Sequence, residues 1–395
     1  MVKNIIIFIL ASLLLVIVAS SIASRRNLNI IDRDFQWERA IDRANAVEKA
    51  KTYKVVMVIS DDNYTAKESF TGILEAIKII NDEGGINGKP IEIKMVGAKG
   101  TKQSYLETIQ EYCTPLDVAL CIGPFISGFV PSSRSLMQFE AMPLVSPMTV
   151  FAQTLPKLEP ETYASYFPPI EILVSSIAKR MSDFNHKNIL LISPKDNSYG
   201  AIVATAFQGY SNTHSLFRNT YRINYNSPLN AFSLQSFFVG FESISKIDAI
   251  FFTGDYNDYV KLKALLKRIE FLPPIFATED LNVDNIEKDN YQGGLYVPTM
   301  YLHNDINNFK ARFLKDTRKE SNYNIELSSR IIFDFRNYLN KHTYEPFDLV
   351  RFFTLKSKEL YSDKNNYEID FKVIKNYKST NEVNIENNKS FIENY

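Results

Sequence analysis

Hydrophobic and polar positions along this chain follow two alternating rhythms. Lys54–Ser60 (KVVMVIS) is apolar through its middle and rich in β-branched residues, the pattern of a parallel strand covered on both faces. Thr65 and Glu68 then have the spacing of a capping box, and Phe70, Ile73, Leu74, Ile77 and Ile80 recur at helical intervals. Gly84 and Gly85 end that helix, because glycine enters the left-handed region without strain. Asn87-Gly88 turns the chain into a second strand, Ile91–Val96. This strand–helix–strand unit continues through helix Ser104–Tyr112, strand Val118–Ile122, helix Pro131–Ala141 and strand Pro143–Val145. Later strands at Ile189–Ile192, Ala249–Phe252 and Ile275–Ala277 alternate with helices at Gly200–Phe207 and Asp255–Ile269. Such alternation predicts an α/β protein with two doubly wound parallel-sheet lobes. Pro168-Pro169 interrupts the chain between the two sets and predicts a hinge.

The chain opens differently. Lys3 precedes an apolar run from Ile5 to Ala23, about 19 residues, long for a signal segment and just long enough to span a bilayer as a helix. Ser21 and Ala23 suit cleavage, whereas Arg25 and Arg26 immediately afterwards suit retention as an anchor. Both readings stand, and the absence of cysteine in this segment excludes a lipid anchor there. Between Asn27 and Lys51 the chain is charged. Trp37, Ile41, Ala44 and Val47 fall on one helical face, which predicts a short helical stalk, the alternative being a helix packed onto the domain itself.

The 395 residues suit two cores, and equal numbers of basic and acidic residues, 45 each, give no basic excess for binding nucleic acid. The basic cluster Lys261–Arg268 alternates with leucines and reads as the solvated face of a helix. Cys113 and Cys121 either pair in an oxidising compartment or pack as two buried thiols; the sequence leaves both open. No Cys/His cluster points to a metal and nothing points to a cofactor. GGINGKP is not a phosphate loop: Gly84 and Gly88 are one residue too close, Pro90 replaces the required hydroxyl, and the loop follows a helix. The four histidines, His186, His214, His303 and His342, lie in polar or loop surroundings, and neither G-x-S-x-G nor H-E-x-x-H occurs. A non-enzyme is expected.

Ligands of doubly wound sheets bind beyond the carboxyl ends of the strands, which directs attention to Asp61–Tyr64, Gly123–Gly128 and Ser146–Phe151. Asp61, Asn63 and Tyr64 are placed by strand-end geometry to set side-chain preference.

Several of these segments resemble one family. Gly72–Ile93 (GILEAIKIINDEGGINGKPIEI) is similar to the signature of branched-chain amino-acid-binding proteins of ABC importers, which have the type I periplasmic-binding fold. Asp117–Gly128, Met142–Pro147, Asn188–Phe207, Asp248–Arg268, Pro273–Asp280 and Gly293–Tyr301 continue the resemblance in order, over roughly Tyr53 to Asn340. It implies that Ser127 and Gly128 hold a ligand carboxylate at a helix N-terminus. Thr149 lies one residue before the family's threonine position, occupied here by Val150. Tyr199 matches an aromatic at the cleft mouth, Asp255 and Tyr256 follow a strand, and Glu279, with Asp280 as the alternative, takes the ligand's ammonium. The implied lobes are 53–166 with 299–346, and 167–298 with 347–395, after a signal or anchor (1–26) and a stalk (27–52). The further crossovers are expected near Leu295–Met300 and near Phe347.

The expected function is an extracytoplasmic solute-binding protein at a bacterial membrane, periplasmic or extracellular. It closes on a small ligand, an amino acid or a related compound, for an ABC permease. The alternative is a membrane-anchored sensor or interaction domain using the same clamp.

Overall fold

In the computed structural model the described residues are 34–374, apart from 61–63, 150–159, 196–198, 231–233, 237, 239–243, 282–285, 287–288, 304 and 319–320. The expected signal or anchor segment, together with Asp61, Asn63 and Val150, lies outside them. No helix among the described residues is long and apolar enough to cross a membrane.

The first lobe is built on a five-stranded parallel sheet of order β2-β1-β3-β4-β5: β1 Tyr53–Ser60, β2 Ile91–Ala98, β3 Val118–Ile122, β4 Leu144–Ser146 and β5 Tyr163–Ser165. α2 (Tyr64–Asp82), α3 (Lys102–Cys113) and α4 (Val130–Phe139) form its crossovers. The second lobe has a six-stranded sheet of order β11-β10-β9-β8-β6-β7. It comprises β6 Asn188–Pro194, β7 Asn219–Tyr225, β8 Ala249–Phe252, β9 Ile275–Ala277, β10 Leu295–Leu302 and β11 Tyr367–Ile374. α5 (Ile170–Asp183), α6 (Tyr199–His214) and α7 (Tyr256–Arg268) cover it. Only β11 runs antiparallel to its neighbour. β3 and β8 are buried at every residue, as parallel strands covered on both faces must be. Gly84 and Gly85 end α2 with φ of 99° and 77°, and a Cβ on Gly85 would lie 2.4 Å from the Lys89 carbonyl oxygen. Glu68 does not act in a capping box: its carboxylate accepts hydrogen bonds from Asn322 and from Asn324 Nδ2, the latter at 2.6 Å.

The chain crosses between the sheets at Tyr166–Pro169, after Leu302, and at Asp363–Asn366. α8 (Phe309–Thr317), α9 (Tyr323–Leu339) and α10 (Pro346–Ser362) follow the second crossing. α10 does not begin a return to the second lobe. Leu349, Val350, Phe353 and Leu360 bury its apolar stripe in the core formed by Val55, Met57 and Leu120, so among the described residues of the C-terminal stretch β11 alone joins the second sheet.

The expected stalk is also placed differently. Residues 34–49 form a helix, α1, packed on the first lobe. Val47 enters the main core, and Ala40 packs with Ala141 and Phe347. The predicted stripe is buried only in its second half: Val47 and Ala44 pack on the core, whereas Trp37 and Ile41 stay 41% and 60% exposed, and Arg43 completes the buried face. The Arg43 side chain is fully buried, with Nη1 donating to the carbonyls of Pro115 (2.8 Å) and Val118 (2.9 Å) and Nη2 to those of Thr114 (3.1 Å) and Glu140 (3.2 Å). Arg39 adds a bidentate grip on Glu140 Oε2 at 3.0 and 2.7 Å. Cys113 and Cys121 are joined by a disulfide between α3 and β3, and both residues are fully buried.

Two outcomes follow. Arg43→Met removes the four hydrogen bonds to the carbonyls of Thr114, Pro115, Val118 and Glu140 and should lower stability by about 2–4 kcal/mol, read by denaturant unfolding; a loss under about 0.5 kcal/mol would refute the docking role. The disulfide closes a loop of sequence separation 8, so Cys113→Ser with Cys121→Ser should cost about 2 kcal/mol. Equal melting points in the presence and absence of reductant would contradict this.

Candidate ligand-binding cleft

In each sheet the strand order reverses at the first strand of its lobe, between β1 and β3 and again between β6 and β8. A doubly wound sheet opens a crevice at such a point, beyond the carboxyl ends of the strands. The first-lobe wall is the loop after β3. Ile126 is extended, Ser127–Phe129 forms one 3₁₀ turn, and the turn runs directly into α4. Phe129 and Val130 donate back to Ile126 and Ser127, while the Ser127 and Gly128 amides have no acceptor among the described residues. Ser146 Oγ donates to the Pro124 carbonyl at 2.7 Å, pinning this loop to β4. Two free amides at the start of a helix favour an anion.

Thr149 is not presented to that wall. It is fully buried, its hydroxyl shares a hydrogen bond with the Tyr163 hydroxyl, and its carbonyl accepts from Ser165 Oγ at 2.6 Å. Tyr64 is the first residue of α2, and its side chain lies outside the described residues.

The second-lobe wall is acidic and aromatic. Tyr199 opens α6, and Gly200 lets that helix end press onto β8: a Cβ at Gly200 would sit 1.9 Å from the Thr253 carbonyl oxygen. The Tyr199 hydroxyl donates to Glu279 Oε1, and its ring meets Phe167 edge-on at 6.1 Å. Glu279 and Asp280 share a 3₁₀ turn just after β9. Glu279 is half-buried, and its Oε2 is sealed from solvent with no partner. Asp280 keeps solvent access yet is ringed by protein. Desolvation, and then the charge of Asp280, raise the Glu279 carboxyl to about 8. Desolvation, followed by the charge of Asp255, raises Asp280 to about 6. Burial, and then the neighbouring Glu279 charge, hold the Tyr199 phenol well above its ordinary value. Asp255 caps α7, accepting the Asp258 amide at 2.8 Å. Tyr256 is half-buried against the second-lobe core, its ring 6.3 Å from that of Tyr259.

The sequence reading missed the cleft floor. Phe167 and Met300 pack there with Met148, Tyr199, Ile202, Tyr323 and Ile369, drawn from both lobes. Tyr323, at the start of α9, shares a hydroxyl hydrogen bond with Tyr361 at 2.7 Å, and Tyr361 donates to the Tyr166 carbonyl at 2.8 Å. The Glu279 charge is among the causes that raise the Tyr323 phenol, after burial and Tyr361. Nothing in the local pattern around Tyr323 marks it, since its place is set by the fold bringing α9 beside Phe167 and Met300.

This architecture is the type I periplasmic-binding fold. The leucine-binding protein LivK from Thermotoga maritima superposes with a TM-score of 0.64 at 14% identity, covering 82% of this chain and 99% of that one. The branched-chain amino-acid transporter substrate-binding protein LivJ from Streptococcus pneumoniae, in complex with isoleucine, gives 0.61 at 17% identity, covering 76% of this chain and 88% of that one. An ABC transporter substrate-binding protein from Desulfitobacterium hafniense, in complex with leucine, gives 0.60 at 14% identity with the same coverage, 76% and 88%. These neighbours are binding proteins rather than enzymes. No family model matches the chain, and no curated protein matches it.

A carboxyl raised by burial keeps a proton in the folded state that the unfolded chain has already lost. Folding therefore binds protons between the ordinary glutamate value of 4.5 and about 8, and the ligand-free protein loses stability as pH rises through that window. Glu279→Gln should raise the melting point at pH 8 and leave it unchanged near pH 4.5. Melting curves from pH 4.5 to 9 that shift in parallel for both proteins would contradict this.

Proposed function

We propose that this chain is an extracytoplasmic, non-enzymatic solute-binding protein that closes its two lobes on an amino acid and delivers it to an ABC permease. The observation that carries the reading is the pairing of opposite ligand chemistries on the two lobes. The free amides of Ser127 and Gly128 suit a carboxylate. Glu279, with one oxygen sealed and unpartnered, suits an ammonium. A desolvated carboxyl without a cation is costly, and a ligand ammonium removes that cost by ionising it. The Tyr166–Pro169, post-Leu302 and Asp363–Asn366 crossings are the hinge. The apolar run Ile5–Ala23 directs export and, where it is uncleaved, holds the protein at the outer face of the membrane.

A second reading, a membrane-held sensor using the same clamp, is favoured by one observation: α1 is bolted to the first lobe through Arg39 and Arg43. N-terminal sequencing separates the two readings, with cleavage after Ala23 favouring the importer component and an intact Met1 the sensor.

The test is thermal unfolding of the full chain against a panel of amino acids. A ligand at about a hundred times its dissociation constant adds roughly 2.7 kcal/mol to the folded state. One or more amino acids should raise the melting point by several degrees, and Glu279→Gln should abolish the shift. No shift with any amino acid would sink the reading.

A further inference from the structure

The second-lobe wall carries more acidic groups than a neutral amino acid can match. β8 and β9 are paired neighbours, Phe252 opposite Ala277, and Asp255 and Asp280 stand at equivalent places beyond those two residues. Three carboxylates, those of Asp255, Glu279 and Asp280, therefore crowd the carboxyl edge of two adjacent strands. The facing turn of the first lobe, Ser127 and Gly128, is uncharged. Lys195, the described lysine at the end of β6, is exposed and makes no ion pair. Asp280 makes neither an ion pair nor a hydrogen bond among the described residues. Asp255 is held by the Asp258 amide through Oδ1 only.

A second observation points to a polar occupant. Thr253 and Thr278, the residues directly after β8 and β9, are 2% and 0% exposed, and both hydroxyls lack a partner among the described residues. Buried hydroxyls are almost always hydrogen-bonded, so two side by side at a strand edge mark a place where a bound group completes the structure. No group of three Asp, Glu, His or Cys side chains among the described residues can hold a metal ion, so the acids suit contacts spread along an extended cation.

Resting on the amino-acid reading above, we infer that the ligand is an α-amino acid with a positively charged side chain, of the lysine, ornithine or arginine class. Its α-carboxylate takes the Ser127–Gly128 amides, its α-ammonium takes Glu279, and its side-chain cation lies between Asp280 and Asp255. A leucine-like ligand satisfies the first two contacts and leaves both aspartates without a counter-charge. Burial, and after it the charge of Asp255, raise Asp280, and a side-chain cation relieves the second of these.

Calorimetric titration of the full chain, purified in mild detergent, with L-lysine, L-ornithine, L-arginine, L-leucine and cadaverine tests this. At least one of the three basic amino acids should bind roughly tenfold or more tighter than leucine and cadaverine, as charge-assisted contacts require. Asp280→Asn should narrow the ratio to leucine about tenfold, its melting point verifying that it folds, and Asp255→Asn should narrow it in the same direction. Leucine binding as tightly as the basic amino acids would overturn the inference and leave the amino-acid reading standing. An unchanged ratio in both variants would overturn the placement of the cation. Cadaverine binding as tightly as lysine would remove the role of the carboxylate. Binding of no amino acid would end the proposed function and this inference with it.

Discussion

A parallel sheet buried on both faces cannot join its strands by hairpins, and every other feature of this protein depends on that constraint. Parallel neighbours are instead joined by crossovers laid over a face, helical in α2, α3, α4, α6 and α7, so successive strands deliver their carboxyl ends to a single edge. The chain does this twice, with the same reversal of strand order in each lobe. The two edges gather short loops that are freed from the ladder and lie near helix starts, and the Ser127–Gly128 amides, Tyr199, Asp255, Glu279 and Asp280 all come from them. The fully buried β3 and β8 are the price of this geometry, and they are also its clearest signature.

The cleft is electrostatically lopsided. The first lobe contributes unpaired amides on a neutral turn, and the second contributes carboxylates next to buried aromatic rings. The Tyr199 hydroxyl meets one oxygen of Glu279 and leaves the other without a partner. The tyrosine thus orients the acid without neutralising it, and the remaining lone pairs are directed by a side chain that the Gly200 contact holds against β8. On the floor, Tyr323 and Tyr361 continue the polar chain into the first lobe, so both lobes are represented where they meet.

Much of this was legible in the sequence, in proportion to how locally each element is specified. β3, β8 and β9 were readable to the residue because continuous apolar runs have one structural meaning when turn residues flank them. β7 and β11 were not, since both are half-exposed and their mixed polar and apolar residues mask the strand rhythm. α10 was assigned to the wrong lobe because an amphipathic stripe tells which face is buried but not which core receives it. α1 is legible only in part for a related reason: Ala44 and Val47 of its apolar stripe face the core, but the docking also needs Arg43, whose four carbonyl partners are distant in sequence. In the cleft, Glu279 and Tyr199 are brought together, whereas Thr149 turns its hydroxyl to Tyr163, an orientation that depends on β5 and not on the residues beside it.

The buried guanidinium of Arg43 has a mechanical meaning. Because α1 is locked to the first lobe, the two form the stator of the proposed clamp, with the second lobe as its rotor across the three crossings. In that clamp a tether preceding α1 holds the neutral wall in space, and the proposed closure carries the acidic wall through an arc toward it. On this reading, occupancy is displayed to the surroundings as the position of a moving acidic surface.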